Sequence, residues 1–315
     1  MLTVSVVIPV YKDPVGLARA LESVLAQTLK PLEILVCDDG SPPEVFDAIG
    51  EVVLQLRARG LPVDLYRQAN AGAGAARNRC LAKARGDVIA FLDSDDWWLP
   101  TKLARSVAVL EETGAAFVAH NFKAMKEGES DGPVWDCAAI ARRRDWLNPK
   151  GDARVQYFYR GFIGILTVVA RREALLRAGG FDAAHRYALD WECWHALLAA
   201  NEGSFFVVFD EVLACYTLSS GGLTSKGLAR VAERESYLPR YVRGVARHGG
   251  VWWPLLLVRG WLTIQLESVQ PEVRRRNWAN VARLVARGPV GLARCLLETW
   301  RGGYVRPNFL AAMPK

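Results

Sequence analysis

Three carboxylates crowd into four positions at Asp93-Ser94-Asp95-Asp96, directly after the apolar run Val88-Ile89-Ala90-Phe91-Leu92. Carboxylates this close repel one another unless positive charge is held between them. Hard oxygen ligands one residue apart suit Mg2+ or Mn2+, with water and phosphate oxygens completing the coordination. The apolar run reads as a strand buried on both faces, and in open α/β sheets ligands gather beyond the carboxyl ends of such strands. The competing reading is an acidic loop that caps the next helix through Asp95 or Asp96. An Asp-x-Asp alone does not separate the two.

The elements that must position these groups are legible upstream. Residues 4–10 form an apolar strand, and Asp13-Pro14 supplies an N-cap and first helical residue for Leu17, Leu21, Val24 and Leu25 at helical spacing. Lys30-Pro31 ends that helix. A second buried strand over 32–37 stops at Asp38-Asp39-Gly40-Ser41, again a strand end loaded with acid and turn residues. A helix over 43–59, a short strand at 63–66 and the glycine-rich stretch from Asn70 through Gly72, Gly74 and Arg77 to Asn78 follow, with Gly86 stopping the next helix. This β-α-β-α-β-α-β alternation predicts a parallel sheet with right-handed crossovers, and brings Tyr11, Asp38-Asp39 and the Asp93–Asp96 cluster to one edge. Gly72 and Gly74 begin a Gly-x-Gly-x-x-Gly pattern. Its third glycine is Arg77, however, and the loop follows the third strand, which argues against a nicotinamide site.

At 315 residues the chain is long enough for a full core, and 51% hydrophobic with 23% charged residues is ordinary globular composition. The start reads as a first strand with no leader pattern. The six cysteines fit neither a zinc spacing nor a disulfide framework, so reduced thiols and a cytoplasmic location are expected. The nearest approach to a spanning segment, 251–266, is broken by Pro254 and Arg259. Charge is uneven: residues 226–315 carry 16 Lys and Arg against 5 Glu, a net of +11, against −4 for the first 225. That asymmetry points to an anionic partner surface.

Val7-Ile8-Pro9-Val10-Tyr11, Asp38-Asp39-Gly40-Ser41, Asn70-x-Gly72-x-Gly74-x-Ala76-Arg77-Asn78 and Leu92-Asp93-Ser94-Asp95-Asp96 stand in the order and spacing of family 2 glycosyltransferases. The resemblance implies a GT-A (Rossmann-like) α/β fold with a mixed, mainly parallel sheet, a UDP-sugar or other nucleotide-sugar donor, a divalent cation and inversion at the anomeric carbon. It places Asp39 on the imide N–H of uracil, Pro9 and Tyr11 along base and ribose, and Asp38 at the turn or the ribose. Asp13 and Ser94 join this nucleotide set. Gly72 lets the backbone approach the donor, and Arg77 can pair with diphosphate or with Asp39. Asp95 becomes the direct metal ligand and Asp93 reaches ribose or metal. Farther on, Arg171-x-x-Ala174-Leu175 to Gly179-Gly180-Phe181-Asp182, and then Leu189-Asp190-Trp191-Glu192-Cys193-Trp194, resemble the family's acceptor-side segments. Asp190 falls on the catalytic aspartate, and Trp191, Glu192 and Asp96 on acceptor or support positions. The simpler reading of Asp190 and Glu192 is that they begin a helix packed through Trp194, Leu197 and Leu198.

In the loop from Cys215 to Ser225, Thr217 and Ser219 stand where the family has Arg and His. Lys12 and Lys226 are candidate substitute cations. A catalytically weakened or inactive nucleotide-sugar-binding scaffold is therefore the alternative function. Residues 123–160 lose periodicity, as lids and specificity loops do, and an apolar strand is expected over 161–169. Residues 226–315 read as a basic helical extension in which Trp278, Val281, Leu284 and Val285 share a face, Pro289 separates two helical segments, and five Trp accompany the Arg excess. That pattern suits an interfacial helix on anionic lipid; packing on the catalytic domain or an oligomer contact is the competing use. No nucleic-acid motif accompanies the charge. The division expected is a domain over 1–225 (nucleotide half 1–98, acceptor half 99–225) and the extension 226–315. The expected activity is non-processive transfer to a glycan or lipid-linked hydroxyl in polysaccharide or glycolipid assembly, because no spanning helices and no Gln-x-x-Arg-Trp motif are present.

Overall fold

The computed structural model describes residues 1–126, 129, 131–218, 227–274, 276–302 and 308–311. Ser219, Ser225 and Lys226, named above, lie outside them. The described residues divide into two compact units: the first comprises those of 1–138, 163–219 and 307–315, the second those of 139–162 and 220–306.

In the first unit, β1 (Val4–Val10), β2 (Glu33–Asp38), β3 (Val63–Arg67) and β4 (Val88–Phe91) are parallel in the order β3-β2-β1-β4, linked by α1 (Pro14–Leu25), α2 (Pro43–Ala58) and α3 (Ala73–Lys83). The register pairs Val10 with Asp38 and Val7 with Phe91, so the ends of β1, β2 and β4 finish at one edge, as the alternation predicts. Pairing of β4 on β1 ends at Val7, which leaves Pro9 beyond the last β4 partner and makes its missing N–H tolerable in an interior strand.

The sheet continues through β5 (Trp97–Trp98), α4 (Lys102–Thr113), β6 (Phe117–Lys126), β7 (Val134–Trp135), α5 (Cys137–Ala141) and α6 (Ala153–Tyr159). After these come β8 (Val169–Arg171), α7 (Arg172–Ala178), α8 (Leu189–Ala200) and β9 (Phe206–Leu218). Beyond β4 the order is β8-β6-β9-β5, with β8 antiparallel to both β4 and β6, β9 parallel to β6, and β7 on β6. This is the mixed, mainly parallel sheet expected. Two corrections apply. The strand expected over 161–169 is displaced to Val169–Arg171, behind a 3-10 turn at Ile165–Thr167. There the Thr167 hydroxyl donates to Gly164 O at 2.7 Å and competes with ladder pairing. And β6 runs to Lys126, into the stretch read as irregular, because β9 pairs alongside it as far as Leu218. All six cysteines are buried and none forms a disulfide.

The second unit packs α6, α9 (Gly227–Gly249), α10 (Trp253–Arg274) and α11 (Trp278–Arg301). α11 is continuous through Pro289, against expectation. The carbonyl that Pro289 leaves without a donor is that of Val285, on the exposed side of the helix where water can bond it. Leu284, Gly288, Gly291, Cys295 and Thr299 form its buried seam. Val285, grouped with Leu284 in the sequence reading, instead belongs to a second, outward apolar face with Trp278, Val290, Leu297 and Trp300, all exposed. Among the described residues no helix is long and apolar enough to cross a membrane.

Candidate active site

The donor side is assembled at the common strand edge. Asp38, fully buried, accepts from Ser41 N–H at 3.1 Å, and Arg67 Nε lies 3.4 Å from its carboxylate. Asp39 ties down the glycine-rich loop: its carboxylate accepts from Gln68 Nε2 at 2.9 Å and from the N–H groups of Ala71 and Gly72, both at 2.8 Å. A carboxylate offers about four acceptor positions, so three are already engaged. Gly40 at φ 79 lets the turn pass, since a Cβ there would lie 2.7 Å from Asn70 N. Pro9 is buried within β1, and Tyr11, 46% exposed, presents the surface at that edge. Lys12 follows at φ 58, its N–H donating to Ser41 Oγ at 2.9 Å and its ammonium 5.0 Å from the Tyr11 ring. Asp13 is the N-cap of α1, accepting from Gly16 N–H at 2.8 Å. Gly16 is required: a Cβ on it would sit 2.7 Å from Ser94 O, so α1 presses directly on the acid turn.

Arg77 pairs with neither Asp39 nor open solvent. Its guanidinium meets the Asp93 carboxylate at 2.5 Å and lies 5.5 Å from the Phe181 ring. Asp95 is half-buried, and burial, with repulsion from Asp93 next, raises its carboxyl to about 6. Asp96 is fully buried and raised well above the carboxylate range, by burial first and then by Asp95 and Asp93. One Asp96 oxygen accepts from Thr217 N–H at 2.7 Å, while Oδ2 has no partner among the described residues. Acids that hold protons against one another in this way gain from a nearby cation. Among the described residues no three His, Cys, Asp or Glu side chains converge on one point. The raised acids of this turn suit a Mg2+-type ion that takes one or two carboxylates and fills the rest of its shell with water and phosphate oxygen.

On the acceptor side, Ala188 caps α8 in the left-handed region at φ 52, and Asp190 follows in the first turn with Oδ1 accepting from Trp191 N–H at 2.8 Å. Among the described residues, two of the three non-glycine residues at positive φ, Lys12 and Ala188, thus flank predicted site residues, where such strain concentrates. Glu192 is fully buried and Trp191 nearly so, which suits support rather than direct acceptor contact. Trp194, one turn after Asp190, packs on Phe91 at 5.6 Å and Phe181 at 6.2 Å, and Phe91 lies two residues before Asp93. This aromatic plate couples the helix of Asp190 to the strand of the acid cluster.

Two residues that received no role from the sequence also act here. Asn78, on α3, clamps the Gly179-Gly180 turn: its Nδ2 donates to Phe181 O at 2.9 Å and its Oδ1 accepts from Phe181 N–H at 2.7 Å. Arg19, on α1, reaches both Asp95 O and Thr217 Oγ1. Their partners lie far along the chain, so no local pattern points to them.

An α/β sheet with a carboxylate-tied glycine loop, an acid turn and an aspartate-led helix at its edge has the layout of the GT-A fold. The fold agrees with Staphylococcus aureus TarS residues 1–349 in complex with UDP-GlcNAc, at TM-score 0.63 and 17% identity over 98% of this chain and 89% of that one. The family model described as glycosyl transferase family 2 matches residues 5–162, and the chain belongs to that family. It is 45% identical over 106 residues to the succinoglycan biosynthesis protein ExoW of Rhizobium meliloti, covering 33% of this chain and 32% of ExoW. It is 28% identical over 239 residues to WfgD of Escherichia coli, a UDP-Glc:α-D-GlcNAc-diphosphoundecaprenol β-1,3-glucosyltransferase, covering 76% of this chain and 86% of WfgD. In other curated relatives the match spans 42% and 49% of the relative's length.

Proposed function

We propose that this protein transfers a single sugar from a nucleoside-diphosphate sugar, UDP-linked by preference, to a hydroxyl of a lipid-linked glycan, with inversion and with Mn2+ or Mg2+. The catalytic body is 1–225 and the basic extension is 226–315. The observation that carries the reading is the convergence, in one unit, of the Asp39-tied loop, the Asp93–Asp95 acids and the helix of Asp190, with the last two locked together through Phe91, Phe181 and Trp194.

Asp93 and Asp95 would hold the cation, which when bound neutralises charge on the leaving diphosphate. The leaving group is then a weak base and needs no general acid, unlike glycoside hydrolysis. Asp190 takes the proton of the acceptor hydroxyl as its oxygen bonds to the anomeric carbon and the bond from that carbon to the diphosphate oxygen breaks. Tyr11 offers a ring for the base, and the Asp39-bound loop brings its backbone toward the diphosphate. Calorimetry tests the donor site: UDP is expected to bind in the presence of Mn2+ and more weakly in EDTA. No UDP or GDP binding with metal present would overturn both the transferase and the scaffold readings, whereas binding without any transfer would favour the scaffold.

The acceptor class rests on WfgD, whose name specifies a diphosphoundecaprenol acceptor, and on the outward face of α11, where Trp278 and Trp300 are 63% and 76% exposed beside Arg283, Arg294 and Arg301. Exposed Trp with flanking Arg is the composition of a helix lying in an anionic lipid interface, here at the cytoplasmic face. Sedimentation with phosphatidylglycerol vesicles is expected to pull the protein down at low salt and release it near 1 M salt, where the screening length is about 3 Å. Binding to neutral vesicles alone, or none at low salt, would rule this docking out.

A further inference from the structure

We infer that Arg19 is a positioning residue of the donor site, one that fastens the metal-binding turn to the end of β9; the inference rests on the donor reading above. Arg19 leaves α1 one turn after Gly16, the residue that lets the helix touch Ser94 O. Its guanidinium donates to Asp95 O and, at 3.1 Å, to Thr217 Oγ1, and its plane lies 4.4 Å from the Trp97 ring. Thr217 in turn gives its hydroxyl to the same Asp95 O and its N–H to Asp96 at 2.7 Å. Three parts of the chain, at 19, 95–97 and 217, therefore meet at one knot, and Arg19 is the only cation in it among the described residues.

The knot fixes two things at once. It holds the backbone of Asp95, so that the carboxylate leaves the turn in one direction, and it holds the last turns of β9, from which the chain continues past Leu218. Thr217 brings no charge, so the positive potential felt by Asp95 and Asp96 from this side comes from Arg19. Arginine suits the place better than lysine, because its planar fork reaches two acceptors while its face rests on the Trp97 ring.

The experiment compares wild type with Arg19→Ala, Arg19→Lys and Thr217→Val by titrating Mn2+ into the UDP-saturated protein calorimetrically, with urea unfolding in parallel. Arg19→Ala is expected to weaken Mn2+ affinity about tenfold, with Arg19→Lys recovering part of it, while uridine affinity and the urea midpoint stay near wild type. Because both side chains hold one knot, Arg19→Ala and Thr217→Val together should cost less than the product of their separate effects. Unchanged Mn2+ affinity in Arg19→Ala, or equal losses for uridine and UDP–Mn2+, overturns the inference and leaves the donor reading standing. If wild type itself binds no UDP, the donor reading falls and the inference with it. Should Arg19→Ala not fold, Arg19→Gln, which keeps reach without charge, takes its place with the same expected loss.

Discussion

Asp190→Asn is expected to lower kcat by about 10²–10⁴-fold, the range that removing a general base produces, while leaving UDP–Mn2+ affinity at the wild-type level. The substitution changes no volume, and the amide oxygen can still accept from Trp191 N–H, so the first turn of α8 and the Trp194 plate keep their places. What is lost is the capacity to accept the acceptor hydroxyl's proton as the new bond forms. The expected split, kcat lost and donor binding kept, distinguishes this from substitution of Asp95, which should lose metal-dependent binding as well. Asp190→Glu is a stricter check: it restores the carboxylate but moves it by one methylene, and misplacement of a reacting group by about 1 Å can cost some 10²-fold. Steady-state assays with a nucleotide sugar and a lipid-linked acceptor read both. Full transfer by Asp190→Asn would remove Asp190 from the mechanism and move the search for a base elsewhere on the strand edge.

The parts of the site differ in how openly the sequence displays them, and the difference is physical. β1, β2 and β4 are buried on every residue and apolar apart from Ser5, Glu33 and Asp38, so their stops at Tyr11, Asp38 and Leu92-Asp93 mark one sheet edge. β9 is only partly buried, with Asp210 and Glu211 in its middle, and β5 is two residues long. Neither carries a period that a local window could detect. The strand misplaced over 161–169 shows the opposite failure: an apolar run records burial, and burial does not require a strand. The individual acids were legible as types, but their partners were not. Asp39 is engaged by backbone N–H groups that carry no sequence signature, Arg77 turned to Asp93, and Asn78 and Arg19 act across 103 and 198 residues on Phe181 and Thr217. In α11 the period was legible, yet a helix with apolar residues on two faces gives no indication of which face packs and which meets solvent or lipid.

The largest expected effect on stability comes from a residue outside the site. Lys102, in the first turn of α4, is fully buried, and burial pushes its amine well below the usual lysine range. Its Nζ lies 4.0 Å from the Trp98 ring and 3.4 Å from Val168 O, and no carboxylate pairs with it among the described residues. His120 shares this interior, held down to about 3 by burial and then by Lys102. The unfolded chain carries a proton on Lys102 up to about pH 10.4 where the folded chain does not, so the unfolded state binds more protons and stability must rise with pH across that window. Each pH unit of that window adds at most about 1.4 kcal/mol. His120 adds a slope of the same sign between about pH 3 and 6.5. Lys102→Met keeps the length and flexibility of the side chain and removes the amine, so it should be more stable than wild type at pH 7, with an advantage that shrinks steadily toward pH 10. Urea midpoints of the two proteins at pH 7, 8, 9 and 10 measure this directly. Curves that stay parallel over that range would mean that Lys102 keeps its proton in the fold, with a counter-charge or water reaching it between Trp98 and His120.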